Sequence, residues 1–228
     1  GETLIDLLEA VCTAAPAVRI RLGSLEPRTI TPEFCRRAAA LPNLCPHFHL
    51  SMQSGCDSVL ARMNRKYDSE RYYESVRLLN EAYETPGITT DLIVGFPGET
   101  EEEFQQTLAF IRRCAFSAMH IFPYSRRPGT PADGMPGQIL NSVKEERAHR
   151  AQQAALEMEA AYLDRWVGRT VPVLFEEERD GLWRGHTTRY SEVAAPSGEN
   201  LHNQLRQVYI TGRAGNILQG ELCEGQEK

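Results

Sequence analysis

Apolar positions follow two rhythms along this chain. Up to the Pro- and Gly-rich stretch 123–137, strand-length apolar runs alternate with segments whose apolar residues recur every three or four positions. The runs are VRIRLGS from Val18, HFHLSMQ from His47, ITTDLIVGF from Ile88 and AMHIFPYS from Ala118, each rich in β-branched or aromatic residues. The segments between them carry helix signals. Thr31 precedes Pro32 as a cap followed by a first-turn proline. Asp68 opens a stripe of Tyr72, Val76, Leu79 and Tyr83. Thr100 and Glu103 form a capping-box pair. Glu101, Glu102 and Glu103 suit the positive end of that helix dipole, and Arg112 and Arg113 the other end. One long helix then runs from Ile139 to Gly168. Its stripe of Val143, Ala151, Ala154, Met158, Tyr162 and Trp166 is expected to pack in a core or between domains.

Strands and helices alternating at intervals of about 30 to 40 residues predict a parallel α/β sheet. Right-handed crossovers put all strand C-termini on one edge, where such folds bind ligands. The informative residues are therefore those after each strand: Ser24 to Glu26, Gln53 to Gly55, Gly95 to Thr100 and Tyr124 to Thr130. Past Gly168 the rhythm shortens. RTVPVLFEE, GLWRGHT, EVAAP, LRQVYITG and NILQGEL predict five short strands in a small barrel or sandwich of the OB type. The acidic block FEEERD reads as a solvated turn. The resulting division is an α/β part over 1–137, a connecting helix over 138–167 and a β-rich part over 168–228.

The 228 residues are enough for two cores, and 41% hydrophobic with 25% charged residues is ordinary for a globular protein. No apolar run approaches the roughly 20 residues of a membrane span. The opening GETLIDLLEAVC lacks a signal-peptide layout and reads as an amphipathic helix entered partway. A cytoplasmic protein without a membrane partner is expected. A formal charge of −6 gives no overall basic footprint, so any nucleic-acid contact falls to local patches. Cys12, Cys35, Cys45, Cys56, Cys114 and Cys223 show neither zinc nor CxxC spacing and read as reduced thiols.

Candidate chemistry gathers at the predicted ligand edge. The Gln53 amide both donates and accepts, which suits a ribose or a carboxylate. Arg65, twelve residues on, offers a fork for a carboxylate. Asp91 interrupts an apolar strand, and a buried carboxylate needs a partner. An arginine such as Arg21 on a nearby strand would serve, and so would a ligand hydroxyl. Gly95 removes a side chain where something approaches the backbone. The turn is not a P-loop, and Glu99 with Glu101 to Glu103 would repel a phosphate.

In order, RIRLGSLEP, CPHFHLSMQSGCDSVLARMNRKY, TDLIVGFPGETEEEF and FPYSRRPGTPA resemble the radical S-adenosylmethionine methylthiotransferases. SLEP and CPH are most similar to the branch acting on N6-threonylcarbamoyladenosine in tRNA. The residues from 168 onward resemble the family's TRAM domain, an RNA-binding β-barrel. The resemblance implies a partial TIM-like radical-SAM barrel, strands three to six with their helices, followed by a small OB-like TRAM barrel.

The resemblance also implies the chemistry. S-adenosylmethionine and two [4Fe–4S] clusters would methylthiolate C2 of that adenosine, at position 37 of the tRNA, by a radical route. Matching positions for S-adenosylmethionine are Gln53 with Ser54, Arg65 for the carboxylate, Asp91 for the ribose or amino-acid part, and the backbone of Ile93 to Gly95 flanking the adenine. RNA contacts are expected from Arg184, Arg189, Tyr190 and Arg206, with His186 and His202 read as structural or solvated. The CxxxCxxC and second cysteine set that hold the clusters have no match here. The expectation is an inactive fragment without cluster ligands, whose open sheet edge pairs in a dimer or is covered. Alternatives are a non-catalytic RNA-binding protein, or sister methylthiotransferases acting on isopentenyladenosine tRNA or on a ribosomal-protein aspartate.

Overall fold

Helix signals and β-branched runs resolve into a parallel sheet with helices in chain order. The computed structural model describes residues 3–223. Its first unit comprises α1 (Leu4–Ala14), β1 (Ser24–Leu25), α2 (Pro32–Ala39), β2 (His47–Leu50), α3 (Asp57–Arg62), α4 (Ser69–Ala82), β3 (Gly87–Val94), α5 (Glu101–Cys114), β4 (Ala118–Pro123) and α6 (Asn141–Asp164). The expected caps close their helices: Thr31 accepts from the Phe34 amide, Asp68 from the Arg71 amide, and Thr100 and Glu103 exchange hydrogen bonds. The sheet order is β1-β2-β3-β4, all parallel.

The first run is shorter than its residues predict. Only Ser24–Leu25 join the ladder, after a single bridge between Ile20 and Leu44. The residues flanking Ile20 are drawn elsewhere: Arg19 donates to the carbonyls of Pro172 and His186, and Arg21 lies 3.9 Å over the Tyr190 ring. The long helix also starts later than predicted, at Asn141.

Alternation along β3 gives the sheet two different faces. Ile88, Leu92 and Val94 are buried with Phe48, Leu50, Phe104 and Ile111 in a core beneath the helices. Thr89, Asp91 and Ile93 are half-buried on the opposite, inner face. Parallel register adds His47 and His49 from β2, and Ala118, His120 and Phe122 from β4, to that inner face.

The second unit is a closed barrel of β5 (Thr170–Arg179), β6 (Leu182–Thr187), β7 (Glu192–Ala195), β8 (Leu205–Ala214) and β9 (Ile217–Leu222), in the order β5-β6-β7-β9-β8. The acidic block is not a turn but the exposed end of β5: Glu177, Glu178 and Arg179 pair with β6. The turn is the Asp180–Gly181 pair, both at positive φ, which matches the twist of a two-residue hairpin.

Helix α6 belongs to both cores. Ala151, Ala154 and Ala155 sit in the first and Tyr162 and Leu163 in the second, joined there by Trp166 just past the helix. The barrel is fastened to the sheet at the N-terminal ends of β2 and β3. Arg189 donates to the carbonyls of Glu84 and Thr85 and covers the Trp166 ring. Gly87 abuts this joint, because a Cβ there would lie 2.5 Å from the Arg189 carbonyl oxygen. Gly87→Ala is expected to lower stability by about 1–3 kcal/mol through forced separation of the two units. Urea unfolding followed by the fluorescence of Trp166 and Trp183 checks this, and a wild-type midpoint would refute the tight joint.

Candidate functional site

The C-terminal ends of β2, β3 and β4 open into a cleft of about 530 Å³. Gln53 and Asp91 line one wall with Ile93. Phe122, Tyr124, Arg127 and Thr130, from the end of β4 and the loop beyond it, line the other.

Gln53 is held there by backbone pairing beyond the end of β2. Its amide donates to the Asp91 carbonyl and its carbonyl accepts from the Ile93 amide, each at 2.9 Å. Its φ is +69°, a left-handed conformation that disfavours non-glycine residues and recurs at functional sites. Asp91 does not pair with Arg21. Its Oδ2 instead lies 3.3 Å from His49 Nε2, and its side chain keeps 29% exposure to the cleft. The expected carboxylate thus stands on the ligand edge, with a histidine rather than an arginine behind it.

Other predicted positions are occupied from within. Gly95 has φ +72°, and a Cβ there would fall onto Lys144 of α6, so its missing side chain makes room for a lysine. Its amide donates to Glu99 at 2.6 Å, while the Val94 carbonyl accepts from Tyr124. The Ile93 amide is likewise used, leaving its side chain as the part that meets the cleft. Ser54 is buried against α5, where its hydroxyl meets Thr107 and the Cys56 amide. Arg65 is exposed in the loop after α3 and does not line the cleft; the guanidinium that does is Arg127. Among the described residues Arg127 has no ion pair, because Arg126 takes Asp133.

The candidate RNA residues divide. Arg189 is spent on the joint between the units, and burial lowers its pKa. Tyr190 has Arg21 over its ring at 3.9 Å and stacks on the His186 ring at 4.4 Å, yet it stays 48% exposed. Arg184 pairs with Glu192 at 3.2 Å and is mostly covered. Arg206 is half-exposed on the barrel surface, 3.6 Å from Glu199. Both histidines are engaged within the barrel, His186 with Glu176 and His202 with the Glu176 carbonyl.

Sequence reasoning missed His49 and Phe122, and it reached Arg127 only as part of the Tyr124 to Thr130 stretch. A two-residue step marks His49, since His47 and His49 must share a face in any strand. Phe122 follows from the register of β4 opposite Ile93. Choosing Arg127 over Arg126 needs the fold of the loop.

A family profile described as the Radical SAM superfamily matches residues 2–111. A threonylcarbamoyladenosine tRNA methylthiotransferase of Bacillus subtilis is 36% identical over 98% of this chain and 54% of its own length. A tRNA-2-methylthio-N(6)-dimethylallyladenosine synthase of Oleidesulfovibrio alaskensis is 41% identical over 87% of this chain and 43% of its own. The chain thus spans about half the length of the curated relatives it matches. Among solved structures, the radical SAM coproporphyrinogen III oxidase of Escherichia coli superposes with a TM-score of 0.56 at 17% identity. That match covers 69% of this chain and 38% of the other, and it extends to the fold alone.

Proposed function

The chain belongs to the radical S-adenosylmethionine tRNA methylthiotransferase family, and from that premise we propose that its cleft holds S-adenosylmethionine for methylthiolation of a tRNA adenosine. The observation that carries the reading is the meeting of Gln53 and Asp91 on one wall at the C-terminal edge of a parallel sheet. Asp91 accepts from ribose hydroxyls, and the Gln53 amide complements them. Arg127, rather than Arg65, grips the amino-acid carboxylate. Ile93, Phe122 and Tyr124 give the cleft apolar walls that exclude water from the bound ligand. S-adenosylmethionine would be held there by Gln53, Asp91 and Arg127, and with an electron from a donor outside these residues it would supply the hydrogen-abstracting radical of such enzymes.

An iron–sulfur cluster does not fit the residues present. Among the described residues no three His, Cys, Asp or Glu side chains are grouped to hold a metal. Five of the six thiols are buried, and burial raises Cys35 to about 11 and Cys114 to about 12, values that keep them as thiols.

The substrate reading is N6-threonylcarbamoyladenosine at tRNA position 37, supported by SLEP and CPH. The Oleidesulfovibrio relative, at higher identity over a shorter stretch, supports dimethylallyladenosine as a second reading. The closed barrel acts as a TRAM-like RNA platform, with Arg206 the basic candidate that the joint leaves half-exposed. Mass spectrometry of tRNA from a deletion strain decides between the two adenosines, because the lost 2-methylthio nucleoside names the substrate. Restoring the gene with Asp91→Ala is expected to lower that nucleoside on the order of tenfold or more. Wild-type levels would sink the assignment of Asp91.

A further inference from the structure

Behind Asp91 lies a chain of polar side chains, His49, Thr89 and His47, each within hydrogen-bond distance of the next. An ionised carboxylate only accepts, so His49 Nε2–H donates to Asp91 Oδ2 across 3.3 Å. With a single ring proton, placed on Nε2, the Nδ1 of His49 is an acceptor, and Thr89 Oγ1–H donates to it across 3.0 Å. The threonine hydroxyl has spent its only proton, so it accepts from His47 Nε2–H at 3.4 Å. His47 Nδ1 is left buried without a partner, as a bare lone pair rather than an orphaned N–H. Burial first, then Arg21 and His49, push His47 down to about 4, which keeps it neutral at pH 7. The Tyr190 ring from the barrel lies 5.4 Å from the His47 ring at the far end.

We propose that His49 is a positioning residue for Asp91, holding Oδ2 so that Oδ1 serves a ligand that donates, a vicinal diol rather than a carboxylate or phosphate. Asp91 Oδ1 has no hydrogen bond among the described residues, and the side chain is open to the cleft. Thr89 orients His49, and His47 orients Thr89, so one proton arrangement runs from the barrel joint to the cleft. The inference rests on the reading that the cleft takes a nucleoside-type ligand, and it adds which group turns the aspartate towards the sugar.

Long-range proton–nitrogen NMR of the 228-residue chain at neutral pH reads the tautomer. His49 is expected with the proton on Nε2 and a bare Nδ1; a proton on Nδ1 overturns the proposal. Ligand titration with adenosine and 2′,3′-dideoxyadenosine reads the positioning. The wild-type chain is expected to prefer adenosine by about tenfold or more, the scale of a hydrogen bond to a charged group. His49→Phe should bring that preference to about twofold or less, and His49→Gln, which keeps an N–H donor, should restore most of it. A preference that survives in His49→Phe overturns the role. If the wild-type chain binds neither nucleoside, the nucleoside reading and this ligand assignment fall together, while the tautomer still decides whether His49 holds Asp91.

Discussion

Replacing Arg147 by alanine lowers the unfolding free energy at pH 7 by about 3–5 kcal/mol, as read from urea titration. Arg147 lies on α6 and Glu99 in the turn between β3 and α5, with side-chain exposures of 6% and 1%. One guanidinium nitrogen donates to the Glu99 carboxylate at 2.8 Å and to its carbonyl at 3.0 Å. The same carboxylate accepts from the Gly95 amide, so the pair fixes the rim of the sheet beside the cleft. Removing the cation leaves a buried carboxylate with one backbone donor, which is why truncation costs far more than an exposed ion pair is worth.

The pH dependence has a definite sign. Burial raises the Glu99 carboxyl above its ordinary value, against the pull of the Gly95 amide and Arg147. A carboxyl raised in the folded state loses stability as pH rises from its unfolded value through its folded one. Without Arg147 the folded value climbs further, so the Arg147→Ala deficit should be smaller at pH 5 than at pH 7. Equal deficits at both would exclude the uncompensated charge as the cause. The double variant Glu99→Gln with Arg147→Met should recover much of the loss, because it removes both charges together.

Tyr72→Ala is expected to cost about 3–5 kcal/mol, the range for truncating a large buried aromatic. Tyr72 is fully buried on α4 and makes edge contacts with Phe110 and Phe116. Its hydroxyl donates to the Leu50 carbonyl at 2.8 Å and lies 3.1 Å from Thr90 Oγ1. Thr90 in turn accepts from the Met52 amide, so this group ties β2 to β3 directly behind the residues that carry His49 and Asp91. Tyr72→Phe separates the terms: it keeps the ring and removes the hydroxyl, at about 1 kcal/mol. If the phenylalanine variant loses as much as the alanine variant, the polar bracket rather than ring packing holds the two strands. Thermal and urea unfolding of the pair give the answer.

Most of the scaffold was legible because local rules and the global fold agree. Thr31, Asp68 and Thr100 cap their helices as their side chains dictate, and the runs at His47, Ile88 and Ala118 become β2, β3 and β4. The first run fell short because Arg19 and Arg21 answer to a barrel more than 150 residues away. No local pattern records such a partner. FEEERD misled for a related reason: charge predicts exposure, and the outer face of a barrel strand is as exposed as a turn.

The site divides along the same line. The sequence by itself placed Gln53 just past one strand of a parallel sheet and Asp91 within the next, and left both a salt bridge to Arg21 and a ligand hydroxyl open for the carboxylate. It also determined the family, through motifs that keep their order over the whole α/β part. Only the tertiary structure decided what each residue does with its freedom. It gave Asp91 a histidine in place of Arg21, filled the gap at Gly95 with Lys144, and brought Arg127 rather than Arg65 to the cleft. It also turned Arg189 from a presumed RNA contact into the clasp between sheet and barrel. The physical reason is range: periodicity and capping act within a few residues, whereas a charged side chain takes whichever partner the fold delivers, however distant in the chain.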